Sequence, residues 1–160
     1  MDVFEAIEKR RSVRKYEDRE IAEADLRKIL EAARLAPSAH NAQDYKIIIV
    51  KEKQKKEALA QAAAQPFIAP APVILIGLAL DPTSKYHAID VAIAFDHISL
   101  SATALGIGCC WIGAFGHREV EKVIGAPESA KVVILMPLGY AADKPIPKMR
   151  KKFEELVKFE

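Results

Sequence analysis

Residues 86–105 constrain this chain more than any other stretch, because they read as one long helix with most of its circumference apolar, interrupted by Asp90, Asp96 and His97. Such a helix belongs in a core or in a dimer seam, and the other elements have to cover it. The uncharged character runs on: residues 98–116 carry no charged side chain and are nearly long enough to span a bilayer. Ser99, Ser101 and Thr103, followed by Gly106, Gly108 and Gly113, break that reading. They describe a buried helix entering a glycine-rich turn, so no membrane span is expected.

The rest of the chain supplies what must wrap that helix. Tyr45 to Val50 is a β-branched run of strand length, residues 73–80 form an unbroken apolar run suited to a strand buried on both faces, and residues 132–138 repeat that pattern. Residues 109–113 could form a further short strand. Asp2 and Glu5 have capping-box spacing ahead of Val3, Phe4 and Ile7, which predicts a short helix ending near a basic run. Leu26, Ile29, Leu30 and Ala33 recur at helical spacing until Pro37 and Ser38 stop them, and residues 53–64 read as an exposed helix. A helix over 118–124 is stopped by Gly125, and the tail, 148–160, reads as helical. Helices and strands interleave without strict alternation, and no repeat or linker appears. One α+β domain over residues 1–160 follows, with a central mixed, mainly antiparallel sheet flanked by helices.

Composition narrows the function classes. A net charge of +2, with Lys and Arg spread between the first and last stretches, argues against a dedicated nucleic-acid surface. Cys109 and Cys110 are adjacent, which suits neither a disulfide framework nor a CxxC site, and no secretory or transit signal is evident at the start. A reducing, cytoplasmic setting is expected. No HExxH, GxSxG, Walker loop or strand-flanked GxGxxG is present, and His40, His87, His97 and His117 lack paired metal-ligand spacing. No metal site and no self-contained acid, base or nucleophile is predicted.

Two segments could hold a ligand. Arg10-Arg11-Ser12-Val13-Arg14 gathers three guanidinium groups around a hydroxyl at a helix-to-loop junction, a set that matches phosphate oxygens; a solvated basic turn is the plainer reading. Pro37-Ser38-Ala39-His40-Asn41-Ala42-Gln43 places a hydroxyl, an imidazole and two amides in one loop, where amides can donate and accept toward a heteroaromatic edge; alone, it is also an ordinary helix stop.

Taken jointly, these segments resemble the nitroreductase, or flavin reductase, family. Its R-R-S-x-R is matched by residues 10–14, and its A-P-S-x-x-N-x-Q by the run from Ala36 to Gln43. Its G-[IL]-G-x-x-W-I-G is matched by Gly106-Ile107-Gly108-Cys109-Cys110-Trp111-Ile112-Gly113. Its P-L-G-Y is matched by Pro137-Leu138-Gly139-Tyr140, with the basic pair Lys148 and Arg150 just beyond. Four motifs in the family's order run along nearly the whole chain. Two departures stand out: Asp44-Tyr45 replaces the Pro-Trp of many relatives, and the chain is short, with the segments that usually cover the substrate side reduced or absent.

The resemblance implies an intertwined homodimer of nitroreductase-like fold binding FMN at the subunit interface. Arg10, Ser12, Lys148 and Arg150, beside Arg11, would hold the FMN phosphate, and Arg14 would face the N1/O2 edge. Pro37, Ser38, Ala39 and Asn41 would reach the flavin from the second subunit. Trp111, Ile112 and Gly113 would pass near N5, with Gly139 beside the cofactor. NAD(P)H would give hydride to N5, and a nitroaromatic, quinone or flavin would then take the electrons from the same face, a ping-pong sequence in which side chains orient and tune the cofactor. The alternative is an FMN-binding storage or sensor protein with little turnover. A third, a nucleic-acid regulator using the arginines, would require steeply salt-dependent binding.

Overall fold

A computed structural model describes residues 1–160. The first helix, α1 (Val3–Lys9), starts as its sequence predicts: the Glu5 N–H donates to the Asp2 carboxylate at 2.9 Å, and the Asp2 N–H donates back to Glu5 at 3.2 Å. There follow α2 (Glu23–Arg34), β1 (Tyr45–Val50), α3 (Lys53–Ala62), β2 (Val73–Ala79), α4 (His87–Ala104), β3 (Gly108–Cys109), α5 (His117–Ile124), β4 (Lys131–Gly139) and α6 (Phe153–Leu156). Gly125 takes φ 65° to close α5, where its N–H and that of Ala126 satisfy the last helical carbonyls.

The strands form one sheet in the order β1-β2-β4-β3, with every neighbouring pair antiparallel. The parallel component is a single bridge from Ser12 to Cys109. Pleating sends Val73, Leu75 and Ala79 of β2 and Ile134, Met136 and Leu138 of β4 toward α2 and α4, while Ile74, Ile76, Leu78, Val132 and Leu135 face α3 and α5. Helices therefore cover both faces, which is why β2 is buried at every residue.

Helix α4 packs on the centre of this sheet through Val91, Ala94, Phe95, Ile98 and Ala102. Its approach depends on Gly77, where a Cβ would lie 2.6 Å from Val91 Cγ1 and 2.8 Å from Phe95 Cε2. Its hydroxyls do not disturb the dry environment, because Ser99 donates to the Asp96 carbonyl, Ser101 to that of His97, and Thr103 to that of Ser99. No helix is long and apolar enough to cross a membrane.

Two expectations change in detail. The short strand expected over 109–113 is confined to Gly108–Cys109, after which Ile112 makes one antiparallel bridge to Leu135. The tail expected to be helical from 148 to 160 forms only the single turn Phe153–Leu156, and its side chains are exposed. Without a core partner, so short a helix has little to offset the cost of its nucleus.

Candidate functional site

Arg10 caps the C-terminus of α1 and turns the chain into an extended arm. The arm is held from two directions. On one side the Val13 N–H donates to the Cys109 carbonyl at 2.9 Å, and the Val13 side chain fills the space that Gly108 leaves free, since a Cβ there would lie 2.6 Å from Val13 Cγ2. On the other, the Glu17 N–H donates to the Tyr140 carbonyl at 2.9 Å and the Ala142 N–H to the Lys15 carbonyl at 3.0 Å, so Tyr16 pairs with Ala141. The Tyr16 hydroxyl also donates to the Val13 carbonyl at 2.6 Å. Burial, reinforced by the nearby Cys110 and Cys109 sulfurs, pushes that phenol well above its ordinary range.

This double pairing carries residues 143–150 over the arginines and leaves a cavity of about 790 Å³ between them. Arg10, Arg11, Ser12, Arg14, Lys148 and Arg150 line it, along with Glu8 and Asp143, and Ile7, Pro145, Ile146 and Pro147 add the less polar wall. Five cationic side chains face two carboxylates, a balance that attracts an anion. The arginines are not equivalent, however. Arg11 turns its Nη1 onto the Glu8 and Arg10 carbonyls at 2.5 and 2.8 Å, which satisfies the end of α1, whereas the Arg14 guanidinium lies 5.9 Å from the centre of the Phe67 ring.

The thiols beneath the arm are quiet. Burial pushes the Cys109 thiol up to about 12, against the opposing pull of Arg10. Burial also raises Cys110, although Arg14, Ser12 and Arg10 all favour its thiolate. Neither is poised as a nucleophile at neutral pH.

The other predicted residues lie outside this cavity. Trp111 packs half-buried against the core, Ile112 is buried, and Gly113 is exposed with nothing within 4 Å of the Cβ it lacks. Gly139 is buried against Pro72 and the Tyr16 ring, which its missing Cβ would approach to 2.6 and 2.8 Å. Its small size thus serves the pairing of arm and tail.

The loop after α2 is presented separately. Ala39–Asn41 forms a 3-10 turn, and His40, Asn41 and Gln43 take φ values of 53°, 53° and 55°. Three left-handed non-glycine residues so close together store local strain, which folds keep where the surroundings over-determine it. Ser38 Oγ accepts the Gln43 N–H at 3.1 Å, and Asp90 of α4 accepts the Ala39 N–H at 3.0 Å. Tyr45, where many relatives have Trp, stays against the core and donates its hydroxyl to the Ala33 carbonyl at 3.2 Å, while the Asp44 side chain is exposed.

Sequence reading missed Glu8, Asp143, Phe67 and Asp90 as parts of this arrangement. Only Asp90 carried a signal, as a polar residue inside an apolar helix. The four histidines are dispersed, and no group of three or more His, Cys, Asp or Glu side chains could hold a metal ion. His117 instead meets the Val132 carbonyl at 2.9 Å, tying α5 to β4.

An α+β sheet with helices on both faces and a basic cleft between its N-terminal arm and its tail defines a class with many relatives. The chain belongs to the nitroreductase family, whose sequence profile matches residues 7–75 and 61–140. A relative from Archaeoglobus fulgidus, provisionally named an NADH dehydrogenase/NAD(P)H nitroreductase, is 35% identical over 144 residues, covering 84% of this chain and 83% of its own. The FMN reductase [NAD(P)H] of Bacillus subtilis is 28% identical, covering 93% of this chain and 70% of its own. Among solved structures, an FMN-dependent nitroreductase from Clostridium difficile R20291 superposes with a TM-score of 0.87 at 28% identity, covering 96% of each chain.

Proposed function

We propose that this protein is an FMN-dependent oxidoreductase that takes hydride from NAD(P)H and passes electrons to an electron-poor acceptor by a ping-pong mechanism. The observation that carries the reading is the basic cleft. Its guanidinium, ammonium and hydroxyl donors suit a phosphate monoester, and its volume lies within the ordinary range for cofactor sites. Bound there, FMN would supply the two-electron chemistry through N5. The protein's share is to bind, orient and tune. Arg10, Ser12, Lys148 and Arg150 would hold the phosphate, helped by Arg11 where its carbonyl contacts allow. Arg14 would place positive charge at the N1/O2 edge and favour an anionic reduced ring. Trp111, Ile112 and the open backbone at Gly113 would border the ring, with Gly139 supporting the cleft from behind.

The active unit in this reading is a homodimer in which Pro37, Ser38, Ala39 and Asn41 of one subunit complete the site of the other. Exposed apolar side chains support it: Val3, Phe4 and Ile7 on α1, Ile89 on α4, and Ile146, Met149, Phe153, Leu156 and Phe159 in the tail. Nitroaromatics, quinones and flavins are the acceptor class.

The test is a visible absorption spectrum of the purified protein, repeated after anaerobic NAD(P)H and then after acceptor. Flavin bands that bleach and return with turnover are expected. Protein that stays colourless and takes up no added FMN would remove the reading. Flavin that is retained and never reduced would leave a storage or sensor protein.

A further inference from the structure

Of all the hydrogen bonds made by Ser38, Ala39, His40, Asn41, Ala42 and Gln43, one alone reaches beyond residue 45: the Ala39 N–H donates to Asp90 Oδ1 at 3.0 Å. The others close the loop on itself. Asp90 sits in the first turn of α4, where the helix dipole favours a carboxylate, and it is only 8% exposed. A charge this deep in an apolar helix costs stability unless something uses it. No cation pairs with it among the salt bridges, and its side-chain hydrogen bond goes to the loop.

We infer that Asp90 is a positioning residue, which fixes the strained loop carrying Ser38, Ala39 and Asn41 in the conformation that meets the cofactor. The inference rests on the FMN reading above. It also reassigns Ala39: its N–H is committed to Asp90, so it is withdrawn from the cofactor, whereas the Ser38 hydroxyl and the Asn41 side-chain amide keep donors free. A loop with three left-handed residues has many relaxed alternatives, and a single bond to a rigid helix selects among them.

The test is an FMN titration of four purified variants beside the wild type. Asp90→Ala should weaken FMN binding about tenfold, the usual scale for losing a buried charge-assisted bond, and Asp90→Asn, which keeps an acceptor oxygen, should stay within about threefold of wild type. Ala39→Pro removes the same bond from the donor side. Proline is tolerated at the start of a helical turn, and Ser38 already has the extended backbone that precedes it comfortably. It should match Asp90→Ala, and the double variant should be no weaker than the worse single one. The visible circular dichroism of bound FMN should change in Asp90→Ala and return in Asp90→Asn, a readout that mere loss of stability would not reproduce. Wild-type affinity in folded Asp90→Ala, or an Asn variant as weak as Ala, would overturn the inference while leaving the oxidoreductase reading intact. A wild type that binds no FMN overturns both. Should neither bond-breaking variant fold, amide exchange at Ala39 in the wild type decides: protection supports the tie, and free exchange rejects it.

Discussion

The basic cleft and the Ser38–Gln43 loop present their polar groups by opposite means. The cleft is assembled from residues more than a hundred positions apart, joined by backbone pairing of 15–17 with 140–142, and its arm is otherwise relaxed. The loop is local in sequence, strained at three residues, and attached to the fold by one side chain. Charge needs only approximate placement, because attraction between a guanidinium and a phosphate falls slowly with distance. Amides and hydroxyls need placement to within a fraction of an ångström, since a hydrogen bond weakens steeply with angle. The contrast teaches that the cleft is suited to capture and the loop to alignment.

The strongest challenge to that division is the double substitution Arg10→Ala and Arg14→Ala, which should lower FMN affinity about a hundredfold by removing two charge-assisted sites. Fluorescence titration at low and high salt should show most of the salt dependence vanish with them. If affinity and salt dependence both persist, the cleft is not where the anion binds. Next in size, Gly108→Ala forces a Cβ against Val13 and should destabilise the fold by about 1–3 kcal/mol, as overpacking does. Chemical denaturation measures it, and Val13→Ala in the same chain should recover part of the loss. The smallest effect belongs to the loop: His40→Gly relieves a left-handed side chain and should raise the stability of the flavin-free protein by about 0.5 kcal/mol, the balance of strain relieved against glycine's added chain entropy. A fall in thermal midpoint would show that the loop is not strained.

Much of the fold was legible because its signals are local. The strand from Tyr45 to Val50 needed only β-branched residues in a row, and the apolar run of 73–80 follows from helices on both faces of the sheet. Helix α4 lies within one residue of its expected bounds at each end. The cleft was legible by half. The arginines were visible as a cluster, but only the family resemblance singled out Lys148 and Arg150 and joined them to it, since pairing between Tyr16 and Ala141 leaves no local mark. The same limit hid Asp143 and Glu8. Arg11 looked like its neighbours until its donors were seen on helix-end carbonyls. The tail failed as a helix because its periodicity has no surface to pack on.

The pairing of Tyr16 with Ala141 also sets an order of assembly. As a chain made from its N-terminus grows, the arm bearing Arg10 and Arg14 stays without its partners until Cys109, and then Tyr140 and Ala142, have been synthesised. The first residues of the cleft to be translated are thus among the last to find their place, and contacts this distant in sequence form slowly. A chain interrupted before residue 140 retains its arginines and the pairing of Val13 with Cys109, but lacks the second pairing and the Lys148 and Arg150 side chains that close the cleft. The cleft therefore works as a test of completeness, and an anion that binds it would favour only finished, folded molecules.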